Sequence, residues 1–150
     1  MALNRNTVLQ ALFTLLSASS AFATTGRKLQ LWSDTVSQPA LFQRLVGESH
    51  QPMSGYGQTQ KVTMHVEVWI YAKNTGVDDP PEGVMLPLLD ALDTALLANS
   101  TFDGRQTLGL PDVVVHAWRE GEATYSQGDL GDQIICLVPV HIEIVGQLGS

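Results

Sequence analysis

Between Lys61 and Tyr71 every second residue is apolar. Val62, Met64, Val66, Val68 and Ile70 fall on one side, and Lys61, Thr63, His65, Glu67, Trp69 and Tyr71 on the other. An unbroken period of two fits a half-buried strand and no helix. Such a strand needs pairing partners and a covering layer, so the chain must fold around a sheet. Trp69 and Tyr71 end the polar side, which predicts that something covers part of it. Ile134 to Ile144 repeats the pattern, with Ile134, Cys136, Val138, Val140, Ile142 and Ile144 inward. Pro139 falls on its other face and predicts an edge position or a bulge.

The remaining segments are arranged around these two strands. Arg27 to Trp32 alternates as a short strand, and Ala40 to Val46 reads as a second of mixed character. Val113 to Trp118 is apolar on both faces except His116, which predicts a central strand. A helix is expected from about Leu86 to Asn99, with Pro87 in its first turn and Leu89, Leu92 and Leu96 buried. Asp90 and Asp93 then lie near the positive end of its dipole. Gly47 to Gln60 reads as a long exposed loop containing Tyr56, Gln58 and Gln60. Ser33 to Pro39, Asn74 to Glu82, Ser100 to Pro111 and Arg119 to Gln133 are further irregular links.

The opening residues support two readings. As a secretory signal they offer Arg5, an apolar stretch from Val8 to Leu16, and Ala21-Phe22-Ala23 as a cleavage site. As a helix they offer Asn4 or Asn6 as N-cap and an apolar stripe at Val8, Leu12, Leu15 and Leu16. Gln10 and Thr14 interrupt the apolar stretch and favour the helix. The expected order is then α-β-β-β-α-β-β. This is an α+β fold with a mostly antiparallel sheet packed against two helices, in one domain spanning 1–150.

Charge and composition exclude several functions. Fifteen acids against eight bases give a net charge of −7, which opposes general affinity for nucleic acid. The charge is unevenly distributed. Residues 1–74 hold six bases (Arg5, Arg27, Lys28, Arg44, Lys61, Lys73) and three acids, whereas residues 75–150 hold two bases and twelve acids. The single Cys136 excludes an internal disulfide or a cysteine zinc site, and no apolar run reaches the length of a membrane span. His50, His65, His116 and His141 share no metal-ligand spacing and read as ordinary loop and strand histidines. Gly128-Asp129-Leu130-Gly131-Asp132 lacks the calcium-loop pattern and reads as a turn. No nucleophile elbow, phosphate-cradling loop or C-x-x-C is present. The chain therefore reads as a non-enzyme without cofactor or metal. Exposed aromatics (Trp32, Tyr56, Trp69, Tyr125) suggest interfaces.

Several segments together resemble a known family. They are Ala11-Leu12-Phe13-Thr14-Leu15-Leu16, Trp32-Ser33-Asp34, Gln38-Pro39-Ala40-Leu41-Phe42 and Leu88-Leu89-Asp90-Ala91-Leu92. Gly104-Arg105-Gln106-Thr107-Leu108-Gly109, His116-Ala117-Trp118-Arg119-Glu120-Gly121-Glu122 and Gly128-Asp129-Leu130-Gly131-Asp132 leading into Val138-Pro139-Val140 follow. In this order they resemble the tail terminator, or tail completion, proteins of long-tailed bacteriophages. The pattern departs at Leu110, where a second Gly is expected.

The resemblance implies that residues 1–24 are the domain's first helix and not a cleaved signal. It implies a homo-hexameric ring on the head-proximal end of the tail tube, formed in the host cytoplasm and retained in the virion. Its partners would be the tail tube protein and the head–tail connector. Duplex DNA would pass through the lumen without specific binding, and no membrane would be involved. The charge division makes Arg27, Lys28 and Arg44 candidates for the subunit interface, with the aromatics Trp32, Trp69 and Tyr71. Tyr56, Gln58 and Gln60 are candidates for tube contact. Glu120, Glu122, Asp129 and Asp132 would line the lumen or face a partner. Two alternatives are another neck or connector ring protein, and a secreted or periplasmic binding domain released by signal cleavage.

Overall fold

The computed structural model describes residues 3–31, 37–53, 59–73, 80–99, 103–126 and 133–147. Helix α1 spans Arg5–Ser17 and helix α2 Pro81–Ala95. The strands are β1 (Thr24–Gly26), β2 (Ala40–Pro52), β3 (Thr59–Lys73), β4 (Val114–Arg119), β5 (Thr124–Ser126) and β6 (Gln133–Gln147). The expected order is observed, with the three-residue β5 added inside a connection read as irregular. The sheet runs β1-β2-β3-β6-β4, and β5 pairs with β6 beside β4. Every pairing is antiparallel except β1 with β2.

β3 and β6 form the centre, paired from Thr59 and Gln147 to Lys73 and Gln133. Their inward residues Val62, Met64, Val66, Val68, Ile70, Cys136, Val138, Val140, Ile142 and Ile144 are buried, as the alternation requires. α2 packs over β3 and β6 and touches α1. Val8, Leu9, Leu12 and Leu16 of α1, with Leu3 and Phe22 flanking it, join Met85, Leu88, Leu89 and Leu92 of α2 in one core. The opening segment is therefore a helix whose apolar stripe is built into the fold. Arg5 reaches Glu48 of β2 at 2.8 Å. Its hydrogen bond holds the Glu48 carboxyl below the ordinary value, against a smaller opposing effect of burial.

Cys136 lies wholly inside this core, and burial pushes its thiol up to about 11. At pH 8 its thiolate fraction falls roughly a hundredfold below that of an unperturbed thiol. Native protein should therefore resist iodoacetamide at pH 8 and react fully in denaturant. Mass spectrometry of the alkylated fraction checks this, and rapid native labelling would contradict the packing.

Several boundaries differ from the sequence reading. The strand expected at Arg27 to Trp32 lies earlier, at β1, because Thr24, Thr25 and Gly26 pair with Ala40, Leu41 and Phe42. Leu29 and Gln30 instead pass over the outer face of the sheet, and Trp32 lies outside the described residues. β2 does not end at Val46. It continues to Pro52 with a bulge between Leu45 and Gly47, so most of the expected loop from Gly47 to Gln60 is paired hairpin. Residues 44–52 are largely exposed, so burial left no alternation there for composition to reveal.

α2 begins at Pro81 rather than Leu86, and Leu96 is its C-cap. Pro81 takes the tolerated N-terminal position, and Pro87 lies inside the helix, where the Gly83 carbonyl loses its intrahelical donor. Gly83 and Pro87 are both exposed, so water can serve that carbonyl. Asp90 and Asp93 consequently lie in the C-terminal half, where the dipole does not favour them. Arg119 offsets this by bonding Asp93 at 2.6 Å.

β4 is the sheet's edge, not a central strand. Its free side is closed by the segment before it, since Ala117 N–H donates to the Gln106 carbonyl at 2.9 Å. Pro139 sits in a central strand at the gap between β4 and β5. Its carbonyl accepts from Glu120 N–H at 3.3 Å, so its missing N–H also faces that gap, where no ladder bond is due.

Candidate functional site

The helices cover one face of the sheet, and the other face carries the candidate residues in three zones. At one end Ala40, Phe42 and Tyr71 form a second small core with Leu29, Trp69 and Ile135 partly buried against it. Phe42 and Tyr71 rings lie 5.3 Å apart. Tyr71 Oη–H donates to the Gln30 carbonyl, and burial raises the phenol above its ordinary value of 10.0. The expected cover is present over Tyr71, from Leu29 and the Gln30 carbonyl, whereas Trp69 borders an open groove. Tyr71 is 3 % exposed, so it is an internal residue of the chain and not a surface one.

Trp69 lies in the second zone, an open groove of about 350 Å³ lined by Glu67, Thr124, Tyr125, Ser126, Ile135 and Leu137. Trp69 Nε1–H donates to Glu67 at 3.4 Å, while Tyr125 is 44 % exposed on the far wall. This wall is β5, whose three residues are all exposed. Arg44, across the pair from Glu67, approaches its carboxylate at 3.8 Å.

The third zone is a row of rings across β4, β6 and β3. His116 stacks on Trp118 at 5.2 Å, Trp118 meets His141 edge-on at 5.8 Å, and His141 meets His65 at 4.5 Å. The register places His65 opposite His141 and Trp118 opposite His141. Hydrogen bonds run along the same line. Ser49 Oγ lies 2.8 Å from His65 Nε2, His65 Nδ1 lies 3.1 Å from His141 Nε2, and His141 Nδ1 lies 2.5 Å from Glu120. His65, His116 and His141 are strand residues as expected, and they share a row that spacing in sequence could not show. His50, expected in a loop, lies in β2. Among the described residues no group of three or more His, Cys, Asp or Glu could hold a metal.

The charged candidates are dispersed. Arg27 binds Gln10 and Asn6 of α1, both at 3.1 Å, and Lys28 is exposed beside it. Glu120 is engaged by His141, and Glu122 is exposed two residues on. Gln60 is a buried residue of β3, paired opposite Pro52 and Gly146, so it is not a loop residue. Trp32, Tyr56, Gln58, Asp129 and Asp132 lie outside the described residues. Lys61 joins Glu143 at 2.8 Å, so part of the charge division is already satisfied within one chain.

One group escaped the reading of candidate sites. Gln106, 3 % exposed, donates from Nε2 to the Leu97 carbonyl and accepts at Oε1 from Leu108 N–H. Its own N–H donates to His116 Nδ1 at 3.1 Å, which orients the first ring of the row. Gly104 and Gly109 flank it at φ 71° and 73°, where a side chain would be strained. Leu110 keeps the turn regular, donating to the Thr107 carbonyl at 2.9 Å.

No protein-family model matches the chain, and no curated protein is similar to it in sequence. Its fold recurs among solved structures. A chain from the "Virion of native gene transfer agent (GTA) particle" superposes with a TM-score of 0.60. The match covers 97 % of this chain and 100 % of that one at 12 % identity, so the two share a fold from end to end.

Proposed function

We propose that this chain is a structural protein of a phage-type virion, and within it the ring subunit that ends the tail tube. Six copies would cap the head-proximal end, stop tube polymerisation and form the joint to the connector, with DNA passing through the lumen. The observation that carries this reading is the full-length fold likeness to a virion chain. The order of short motifs resembling tail terminators, from Ala11 to Val140, supports the finer assignment.

A closed ring joins one patch to a different patch of the neighbour. The groove of Trp69 and Tyr125 is one such patch, and the Arg27–Lys28 corner is another. Excess acid in the second half, with −7 per subunit, would give six copies a wall that repels phosphates and lets DNA slide. Glu122 is the described acid best suited to that wall, being exposed on the excursion between β4 and β5.

Mixing purified protein with tail tubes and imaging by negative stain tests the assignment. A ring at one tube end supports it. Binding to capsid portals instead would favour a connector ring, and binding to neither would refute both. Lys28→Glu should lower hexamer yield severalfold in native mass spectrometry while leaving the melting temperature unchanged. It is cleaner than Arg27→Glu, because Arg27 also braces α1. Unchanged hexamer yield would remove the basic corner from the interface.

A further inference from the structure

The sheet closes some of its edges and leaves two open. β1 covers the outer side of Ala40, Leu41 and Phe42, and Ala117 N–H of β4 is taken by the Gln106 carbonyl. Beyond Phe42, β2 is paired with β3 alone. Among the described residues no backbone hydrogen bond reaches the other side of residues 44–52. An antiparallel strand turns every second N–H and C=O away from its partner, so this stretch presents a row of them outward. β5 is the second open edge, paired with β6 on one side and exposed at all three residues. The two edges lie on opposite sides of the sheet, β2 beyond β3 and β5 beyond β6.

Apolar exposure marks the same two edges. Among the described residues, the large apolar side chains exposed on strands are Leu45 and Val46 of β2 and Tyr125 of β5. An edge left to solvent is ordinarily guarded by charge. Here Arg44 and Glu48 are engaged by Glu67 and Arg5 of the same chain.

We propose that a second copy of this chain adds its β2 edge to β5, so that the sheet continues from one subunit into the next. This rests on the ring reading and specifies its joint. Strand direction supports it. β2 with β3, β3 with β6 and β6 with β5 are each antiparallel, so β2 runs opposite to β5. A copy brought alongside by rotation about an axis along the strands therefore meets β5 antiparallel, and the alternation is unbroken.

Stagger supports it as well. Tyr125 is level with Cys136, Ile70 and Leu41, and at Leu41 the β2 edge is already occupied by β1. The arriving β2 must therefore slide until its open stretch reaches β5. Bringing Val46 opposite Tyr125 takes a slide of roughly 16 Å, at about 3.3 Å per residue. The lateral step from β2 through β3, β6 and β5 to the next β2 is roughly 19 Å, at about 4.8 Å per strand. Their ratio tilts the strands about 40° from the ring axis, within the roughly 35–45° at which closed sheets stagger. The apolar residues of the two edges then cover one another. A two-fold pairing of β2 with β2 would leave β5 and Tyr125 open.

Cysteine cross-linking tests the joint, and the buried Cys136 leaves the reagent to introduced thiols. Val46→Cys and Tyr125→Cys copies are mixed, assembled alone or on tail tubes, and treated with a short bis-maleimide. The mixture should yield at least about tenfold more covalent dimer than either variant by itself. Self-joining of Val46→Cys would show a two-fold β2 pair and overturn the proposal. Rings whose mixed copies stay unjoined would also overturn it, while leaving the ring assignment standing. Wild type that forms no ring, alone or on tubes, would refute the ring assignment and the joint with it. In wild-type rings, alternate amides of residues 44–52 and those of 124–126 should exchange at least about tenfold more slowly than in dilute monomer, with β4 unchanged. Unchanged exchange in a formed ring overturns the joint even if neither variant folds.

Discussion

A chain lacking residues 1–23 should not fold. Removing them deletes Leu3, Val8, Leu9, Leu12, Leu16 and Phe22, all within the main core. Burying each such side chain contributes roughly 1.5–3 kcal/mol, so the loss is about 9–18 kcal/mol. This equals or exceeds the roughly 5–15 kcal/mol by which domains are stable. It also removes the Leu9 carbonyl that the buried Gln43 amide of β2 bonds at 3.0 Å. Urea titration followed by circular dichroism checks this, and a cooperative transition in the truncated chain would refute it. The milder Leu12→Ala should cost about 2–5 kcal/mol, because Leu12 is fully buried. A protein cut after Ala23 and still folded would favour the secreted reading. The packing of α1 supports the opposite outcome.

What sequence could reveal was set by where burial repeats. β3 and β6 are covered on one face along their whole length, so their alternation survives in composition. The distal half of β2 is exposed on both sides, and only its partner β3 makes it a strand. A polar run with Gly, Ser and Pro then reads as a loop. α2 has two prolines, at 81 and 87, and each fits a first turn when considered alone. Met85 is buried and Val84 packs against the core, so the earlier start is the one that tertiary packing selects. The apolar character of β4 was real, but its cover is a loop closing an edge and not a second strand.

The candidate site was less legible for a related reason. His65 and His141 are 76 residues apart and meet only through the β3–β6 register. A one-residue slip would send one of them into the core. The charge division likewise dissolves in part once the chain is folded. Lys61 with Glu143 joins the two halves, while Arg5 with Glu48 and Arg44 with Glu67 neutralise acids of the first half. The surplus acid of the second half remains, on Glu82, Asp90, Asp112 and Glu122 among the described residues. An electrostatic role therefore rests on that surplus, with the basic corner at Lys28 as its counterpart.

Gln106→Leu should destabilise the fold by about 2–6 kcal/mol despite adding apolar surface to a buried position. The side chain is close to Gln in size, so the effect isolates hydrogen bonding from packing. It strands two backbone groups, the Leu97 carbonyl and the Leu108 N–H, each worth about 1–3 kcal/mol when buried and unpaired. Leu108 is held at φ 55°, a conformation unfavourable for Leu, and its N–H bond to Gln106 helps to keep it there. Asn99 secures the next residue independently, accepting from Thr107 N–H at 2.9 Å, so the loop should loosen without detaching. Because Gln106 N–H orients His116, the stacking on Trp118 should weaken and shift tryptophan fluorescence before global unfolding. Gln106→Glu keeps the acceptor for Leu108 but turns a donor toward Leu97 into a repelling oxygen, so it should be destabilising at neutral pH and partly recover on acidification. Urea midpoints at pH 7 and pH 4.5 separate these effects. If Gln106→Leu loses less than about 0.5 kcal/mol, the buried amide is not what holds this loop to β4.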